Sequence, residues 1–418
     1  MTLRANQIAG LAAAIAEIRP LTATADSLLH HYFRRHSAIG RADRALISEG
    51  VYAYLRRRRS IESLAETTQP SRLALATLVR ALHRNVRELE GIVRETDVKW
   101  LRDFKARGDA PLEPAIDAEL PDWLWARLGA AYGDDERAAL ARALLFPAPL
   151  DLRVNPLKTT RDDARAALAA AGIDARPTAH SPLGLRVAGR PAINDHPLFL
   201  DGSIEVQDEG SQLVGLLLAP KRNDMVVDFC AGAGGKTLLL GALMRSQGRL
   251  YAFDVSEKRL ANLKPRLARS GLSNVHAQLI AHERDAKVKR LAGKIDRVLV
   301  DAPCTGFGTL RRNPDLKWRQ TERDLAELVA KQQTILRAAA TLVKPGGRLV
   351  YATCSVLPDE NEAQMATFLA EHPGFAAVDA AAELARAGVA LDTGPTLRLA
   401  PHRHGCDGFF AAVVERRT

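Results

Sequence analysis

Cys304, in Asp301-Ala302-Pro303-Cys304, and Cys354, in Tyr351-Ala352-Thr353-Cys354-Ser355, each stand just past a short apolar run. Those runs, Val298-Leu299-Val300 and Leu349-Val350, read as buried parallel strands, and open α/β sheets gather their chemistry at the carboxyl ends of such strands. Both sulfurs are therefore expected at one edge of one sheet. A lone cysteine is most often an inert core residue; two at equivalent strand ends, each in a polar turn, reverse that expectation. A thiolate is a soft nucleophile whose pKa falls beside a helix amino terminus or a cation. Such a group suits methylation of a pyrimidine. Carbon 5 of cytosine is a poor nucleophile until something adds to carbon 6 and turns it into an enamine carbon, and the carbon 5 proton must then leave before the adduct can eliminate. Cys354 precedes Ser355 and a helix expected to start near Asp359-Glu360-Asn361-Glu362, which has a dipole to offer it. Cys304, or a water it positions, is the candidate for the base or for assisting release.

A methyl donor must bind beside them. Asp228-Phe229-Cys230-Ala231-Gly232-Ala233-Gly234-Gly235-Lys236-Thr237 reads as a glycine-rich turn between a strand and a helix, where the backbone passes close to a ligand and the helix start offers unpaired amides. A phosphate-binding P-loop would need glycine where Cys230 stands, and the dinucleotide fingerprint fails at Thr237. An S-adenosylmethionine loop fits, with Asp254, about twenty residues on, ending Leu250-Tyr251-Ala252-Phe253-Asp254 to take the ribose hydroxyls. The plainer reading of Asp254 is an acid ending a strand in a polar turn. Asp285 is a candidate for the adenine end of the cofactor, in a loop crowded by His282, Glu283 and Arg284.

These residues need a scaffold. From about Gln207 strands and helices alternate, implying a doubly wound parallel sheet. Strands are predicted at Met225-Val226-Val227, Leu250 to Phe253, Val275 to Ile280, Arg297 to Val300, Leu349 to Ala352 and Phe409 to Val414, with helices after Lys236, Glu257, Glu322 and Glu360. Upstream, Leu150 to Val154, a helix from Thr160 to Ala171 and Gly184 to Val187 form a small α/β lead-in. From Ala5 to about Leu144 apolar residues recur at helical spacing, as in Leu28, Leu29, Tyr32, Phe33 and in Ile47, Val51, Tyr54, Leu55. The expected division is 1–145 all-helical, 146–215 lead-in and 216–418 catalytic.

A chain of 418 residues is long enough for two or three domains, and 47% hydrophobic content is enough for real cores. The net charge of +10, mostly from arginine, favours a polyanionic partner. On the helical part, Arg34, Arg35 and the block Arg56-Arg57-Arg58-Arg59 are either solvated helix faces or RNA-phosphate contacts. Trp318 with Lys317, Arg311 and Arg312 is either a lip for an extruded nucleotide or a core tryptophan with surface arginines. Four cysteines without a C-x-x-C pair disfavour a disulfide framework and structural zinc and suit a reducing cytoplasm. Cys406 reads as structural, and no metal is expected at His402 and His404. The apolar stretch at residues 11–16 is too brief for a membrane span.

Taken together, the motif from Asp228 to Thr237, Asp301 to Gly306, Arg311-Arg312-Asn313-Pro314-Asp315-Leu316-Lys317-Trp318, Tyr351 to Ser355 with Glu360-Asn361-Glu362, and Val206-Gln207-Asp208-Glu209-Gly210-Ser211 resemble the RsmB/Sun (Fmu) family of RNA cytosine-C5 methyltransferases. The resemblance implies a Rossmann-like class I S-adenosylmethionine-dependent sheet, Cys354 as nucleophile and Cys304 as the release cysteine. It implies cofactor contacts from Cys230, Ala231, Gly232, Ala233, Gly234, Gly235 and Lys236, with Asp254, Asp285 and Asp301. Asp301 is also expected to face ring nitrogen 3 of the base. Ala233 stands where many members carry proline, Thr305 where serine is common, and the usual Gly-Asp pair is missing near Asp285. The amino-terminal helices, through Ala42-Asp43-Arg44 to Val51-Tyr52-Ala53-Tyr54-Leu55-Arg56, resemble the NusB-like RNA-binding domain of members that act on small-subunit ribosomal RNA. The resemblance therefore implies 16S rRNA as partner and 5-methylcytosine as product, made by a cytoplasmic monomer with no membrane association. Competing readings are a tRNA cytosine-C5 methyltransferase, a DNA cytosine methyltransferase, which would use only the thiol of the Pro-Cys turn, and a non-catalytic RNA-binding ribosome assembly factor.

Overall fold

Helices Ala5–Ile18, Ala25–Arg35, Arg41–Ala65, Pro70–Arg80 and Glu95–Arg107 pack around one apolar centre in the computed structural model, which describes residues 3–418. Their apolar residues fall at three- and four-residue spacing, so each helix buries one stripe. Leu11, Ile15, Ile18, Ile47, Val51, Tyr54 and Leu55 are all fully buried. Thr24 caps the second helix by accepting the Ser27 amide, and Pro70 opens the fourth, where its missing N–H costs nothing. Shorter helices, Asp122–Ala131 and Asp134–Leu144, follow. Among the described residues no helix is long and apolar enough to cross a membrane.

By internal contacts the chain forms two units, one running to Pro147 and including Thr309–Glu322, the other comprising Ala148–Gly308 and Arg323–Thr418. Residues 309–322, which the sequence reading places within the catalytic part, thus pack with the helices. Trp318 donates its indole N–H to the Leu55 carbonyl at 2.7 Å, Lys317 donates to the Arg56 carbonyl at 3.1 Å, and Asp315 accepts the Ala25 amide. Trp318 packs against the helical core, so the nucleotide lip is replaced by the core reading. Burial drives the Lys317 ammonium down to about 7, against the opposing pull of Glu119.

The arginine block behaves likewise. Arg56 donates to the Arg311 carbonyl, Arg58 to Glu62 and the Arg19 carbonyl, and Arg59 to Leu120 and Asp122. All are half-buried. A freely solvated face does not describe Arg56, Arg58 and Arg59: the helix kinks at Arg57, and these neighbours join it to adjacent segments.

In the second unit, β1 (Leu150–Val154), β2 (Ala175–Pro177), β3 (Gly184–Val187) and β4 (Ile204–Val206) make a small sheet in the order β2-β3-β1-β4, covered by the helix Arg161–Ala170. The large sheet contains β5 (Met225–Asp228), β6 (Arg249–Asp254), β7 (Val275–Leu279), β8 (Ile295–Asp301), β9 (Val343–Thr353), β10 (Phe375–Val378), β11 (Leu397–Leu399) and β12 (Phe409–Arg416). Its order is β10-β12-β9-β8-β5-β6-β7, with β11 on β12. Strands β5 to β9 are parallel, and β10, β11 and β12 join antiparallel. Val226, Val227, Val298, Leu299, Leu349 and Val350 are fully buried, as strands covered on both faces require. The strand order turns back beside β5, which pairs with both β6 and β8, so the crevice for a ligand opens at its carboxyl end. Strands β2, β4 and β11 have three residues each and no apolar run, which is why periodicity does not reveal them.

Candidate active site

The cofactor loop follows from local backbone needs. Between β5 and the helix Gly235–Leu243, Gly234 has φ of 84°, and a Cβ there would lie 2.1 Å from Leu263 Cδ1. Gly232 is also left-handed, at φ 57°, but a Cβ there meets nothing within 4 Å, so its exposed side is open to a ligand. Asp254 at the end of β6 accepts the Gly232 amide at 2.8 Å and the Ser256 amide at 2.7 Å. Val255, next to it, is 60% exposed and presents an apolar face at the strand end.

Under the loop, Asp228 accepts the Thr237 hydroxyl at 2.7 Å through one carboxyl oxygen, while the other is buried without a partner. Burial raises its pKa to about 7, and Asp301 and Asp254 push it further up while Thr237 and Lys236 oppose. The carboxylates of Asp254 and Asp301 beside an open glycine turn suit a ligand carrying a sulfonium and an ammonium. S-adenosylmethionine fits these residues.

At the ends of β8 and β9, paired with Asp301 opposite Ala352, the two thiols meet: Cys304 Sγ and Cys354 Sγ are 3.4 Å apart, and both residues are half-buried. The turns that carry them are held by Glu360 and Asn361. Glu360, fully buried, accepts the Thr305 amide at 2.8 Å, the Thr305 hydroxyl at 2.5 Å and Gln332 Nε2 at 3.0 Å. Gln332 also donates to the Pro303 carbonyl, and the Gly308 amide to the Cys354 carbonyl. On the Cys354 side, Asn361 accepts the Thr353 hydroxyl at 2.5 Å and donates to the Ser355 carbonyl at 3.1 Å. The hydroxyl that Thr305 keeps in place of serine is thus in use.

The hydrogen bond with Cys354, followed by burial, raises the Cys304 thiol well above its ordinary pKa. Cys304 is therefore held un-ionised. The helix expected near Cys354 begins at Glu362. The nearby cation is Lys236, whose ammonium donates to Asp301 at 2.7 Å and lies 5.3 Å from the Phe409 ring centroid. Burial pushes Lys236 down, but Asp301, Cys354 and Asp228 more than restore it, so its pKa lies above the usual value.

Of the residues singled out from the sequence, Cys230 to Lys236, Asp254, Asp301, Cys304 and Cys354 gather at the carboxyl ends of β5, β6, β8 and β9. Asp285 follows β7, the neighbour of β6, and its carboxylate caps the helix Ala286–Lys289 and accepts the Ala281 and Lys287 amides. Those two bonds lower its pKa. Sequence reasoning quoted Asp228, Glu360 and Asn361 within motifs without giving them roles at the site, and left Val255, beside Asp254, without one.

Comparison with known proteins agrees with this arrangement. Residues 215–415 match the family described as 16S rRNA methyltransferase RsmB/F, and residues 120–194 match the ferredoxin-like domain of RsmF/B-like methyltransferases. A probable ribosomal RNA small subunit methyltransferase B from Synechocystis sp. is 39% identical over 300 residues, 71% of this chain and 66% of the relative. Its counterpart from Bacillus subtilis is 32% identical over 330 residues, 79% and 73% of the two chains. The crystal structure of a methyltransferase homologue from Pyrococcus horikoshii is 28% identical, superposes with a TM-score of 0.62 and covers 73% of this chain and 98% of its own. An S-adenosylmethionine-dependent methyltransferase sheet, an open glycine loop at its switch point and these relatives lead to one conclusion: the chain belongs to the RsmB/F family of methyltransferases.

Proposed function

We propose that this methyltransferase forms 5-methylcytosine in small-subunit ribosomal RNA, with Cys354 as nucleophile and Cys304 as the residue that completes release. The observation that carries the reading is the 3.4 Å approach of the two sulfurs at the strand edge beside the cofactor loop. Cys230 to Lys236 and Asp254 hold S-adenosylmethionine in this reading, which when bound supplies an electrophilic methyl group. Cys304, held un-ionised, lies 3.4 Å from the Cys354 sulfur, and Lys236 places positive charge nearby. Sulfur adds to carbon 6, and Asp301, at the end of the strand preceding Cys304, faces ring nitrogen 3. Carbon 5 then carries the new methyl group and still holds its proton. A water held at the Cys304 edge takes that proton to solvent, and the electron pair left behind closes the ring double bond and expels Cys354 as its thiolate.

The helical unit, with the chain's excess of arginine, is assigned to RNA binding, and small-subunit RNA is the substrate named for the relatives. An enzyme of bacterial ribosomal RNA acts in the cytoplasm. The test is to incubate each variant with 16S rRNA and labelled S-adenosylmethionine. Cys354→Ser should incorporate no label, whereas Cys304→Ser should accumulate a covalent protein–RNA adduct that survives denaturing electrophoresis. Turnover that survives Cys354→Ser but is lost in Cys304→Ser would overturn the assignment of roles.

A further inference from the structure

Arg153 is a charged residue of the small lead-in sheet with almost no solvent exposure, at 2%. Burying a guanidinium is costly unless its N–H groups are met and its charge is balanced. At the cofactor loop one of its terminal nitrogens is met twice, and a buried carboxylate stands opposite it. One terminal nitrogen of Arg153 donates to the Gly235 carbonyl at 2.6 Å and to the Gln207 side-chain oxygen. Opposite Arg153 in the β1–β4 pairing stands Glu205, itself 3% exposed. Glu205 accepts two bonds from Arg266, at 2.9 and 3.1 Å, and two from Arg269, at 2.7 and 3.1 Å. Arg266 in turn donates to the Ala233 carbonyl at 2.7 Å. Two guanidinium groups therefore hold carbonyls on either side of Gly234, and Glu205 is the counter-charge in contact with Arg266 and opposite Arg153.

The consequence follows from peptide geometry. A peptide unit is planar, with the carbonyl of one residue and the N–H of the next on opposite edges, so fixing the carbonyl fixes where the N–H points. Holding the Gly235 carbonyl orients the Lys236 amide, which lies in the first helical turn and lacks an intrahelical partner. Holding the Ala233 carbonyl orients the peptide that enters the left-handed Gly234. Glycine-rich backbone loses the most freedom on ordering, and a loop ordered in advance does not pay that entropy when its ligand arrives. We propose that Arg153, with Gln207, Glu205 and Arg266, preorganises the glycine-rich loop for S-adenosylmethionine, making the lead-in sheet a positioning element of the cofactor site. The inference rests on the reading of residues 230–236 as that site.

The test uses the full chain, calorimetric titration with S-adenosylmethionine, and steady-state methylation of 16S rRNA. Arg153→Met should weaken binding and raise the KM for S-adenosylmethionine about tenfold, with kcat at saturating cofactor within about twofold. Arg153→Lys, which keeps a donor for the Gly235 carbonyl, should recover most of the affinity. Arg266→Met, at a less buried position, should show the same split of KM from kcat and decides the matter if Arg153→Met does not fold. Unchanged affinity in the folded variants, or a fall in kcat without a rise in KM, overturns the inference. Asp254→Ala separates the two claims: full affinity in that variant would count against the site itself, whereas lost affinity there with unchanged Arg153→Met and Arg266→Met would count against the preorganisation alone.

Discussion

The sulfurs of Cys304 and Cys354 lie 3.4 Å apart although 50 positions of sequence separate the two residues. Parallel pairing of β8 and β9 brings their carboxyl ends level, and Glu360 and Asn361 then hold the two turns. Both groups therefore stand at one edge of the sheet, as the proposed mechanism with separate attacking and releasing groups requires.

The same proximity makes the pair oxidisable. Hydrogen peroxide should oxidise one of the two sulfurs to a sulfenic acid, which the other thiol attacks with loss of water; in sum, two thiols and one peroxide give one disulfide and two waters. Peptide mass mapping should find the 304–354 crosslink, and methylation activity should vanish and return with dithiothreitol. Intact free thiols after peroxide treatment that abolishes activity would contradict this expectation.

Glu360 has no place for a substitute that cannot accept hydrogen bonds. Glu360→Ala removes the buried acceptor shared by the Thr305 amide, the Thr305 hydroxyl and Gln332, costing about 1–3 kcal/mol of stability. Because those donors carry the Cys304 turn, release should slow more than attack. Thermal melts give the stability loss, and gel-resolved adduct in Glu360→Ala should exceed that of the parent enzyme.

Asp228 makes stability depend on pH in a defined sense. Its folded pKa of about 7 lies above the ordinary carboxyl value, so the folded protein keeps a proton that the unfolded chain has released. Its contribution is fully present below about pH 4 and is lost as pH rises through about 7, on the order of a few kcal/mol. Asp228→Asn should flatten that segment of the curve. Melting temperatures of the two proteins between pH 5 and 8, buffered at constant ionic strength, should converge at the acidic end and separate at the basic end in favour of the variant, with pH values chosen about the shift.

Trp318 tests whether residues 309–322 support the helical unit. Trp318→Phe removes the bond to the Leu55 carbonyl and should cost about 1 kcal/mol, while Trp318→Ala also leaves a void beside the helical core and should cost about 3 kcal/mol. Denaturant titration followed by circular dichroism reads both. Equal stability of all three proteins would return this tryptophan to the surface.

Much of the site is legible along the chain because its residues sit at strand ends. A buried parallel strand announces itself as an unbroken apolar run, so Val298 to Val300 locates Cys304, and Leu349 with Val350 locates Cys354, without coordinates. The glycine pattern from Gly232 to Gly235 is legible for a similar reason, since glycine adopts the left-handed turns at 232 and 234 most readily. Short strands such as β2 and β11 carry no such signature.

What the sequence alone determined is the chemistry: two thiols, a glycine loop and the acids at Asp254 and Asp301, each tied to a local pattern. Tertiary structure decided which charges serve that chemistry. Arg56, Arg58 and Arg59 look available for RNA until the fold gives them carbonyls and carboxylates within the helical unit. Arg153, in an ordinary alternating strand, proves to reach Gly235, 82 positions away. The physical reason is range: backbone preference and apolar periodicity act over a few neighbouring residues, whereas the partner of a buried charge is set by whichever distant segment the completed core brings beside it.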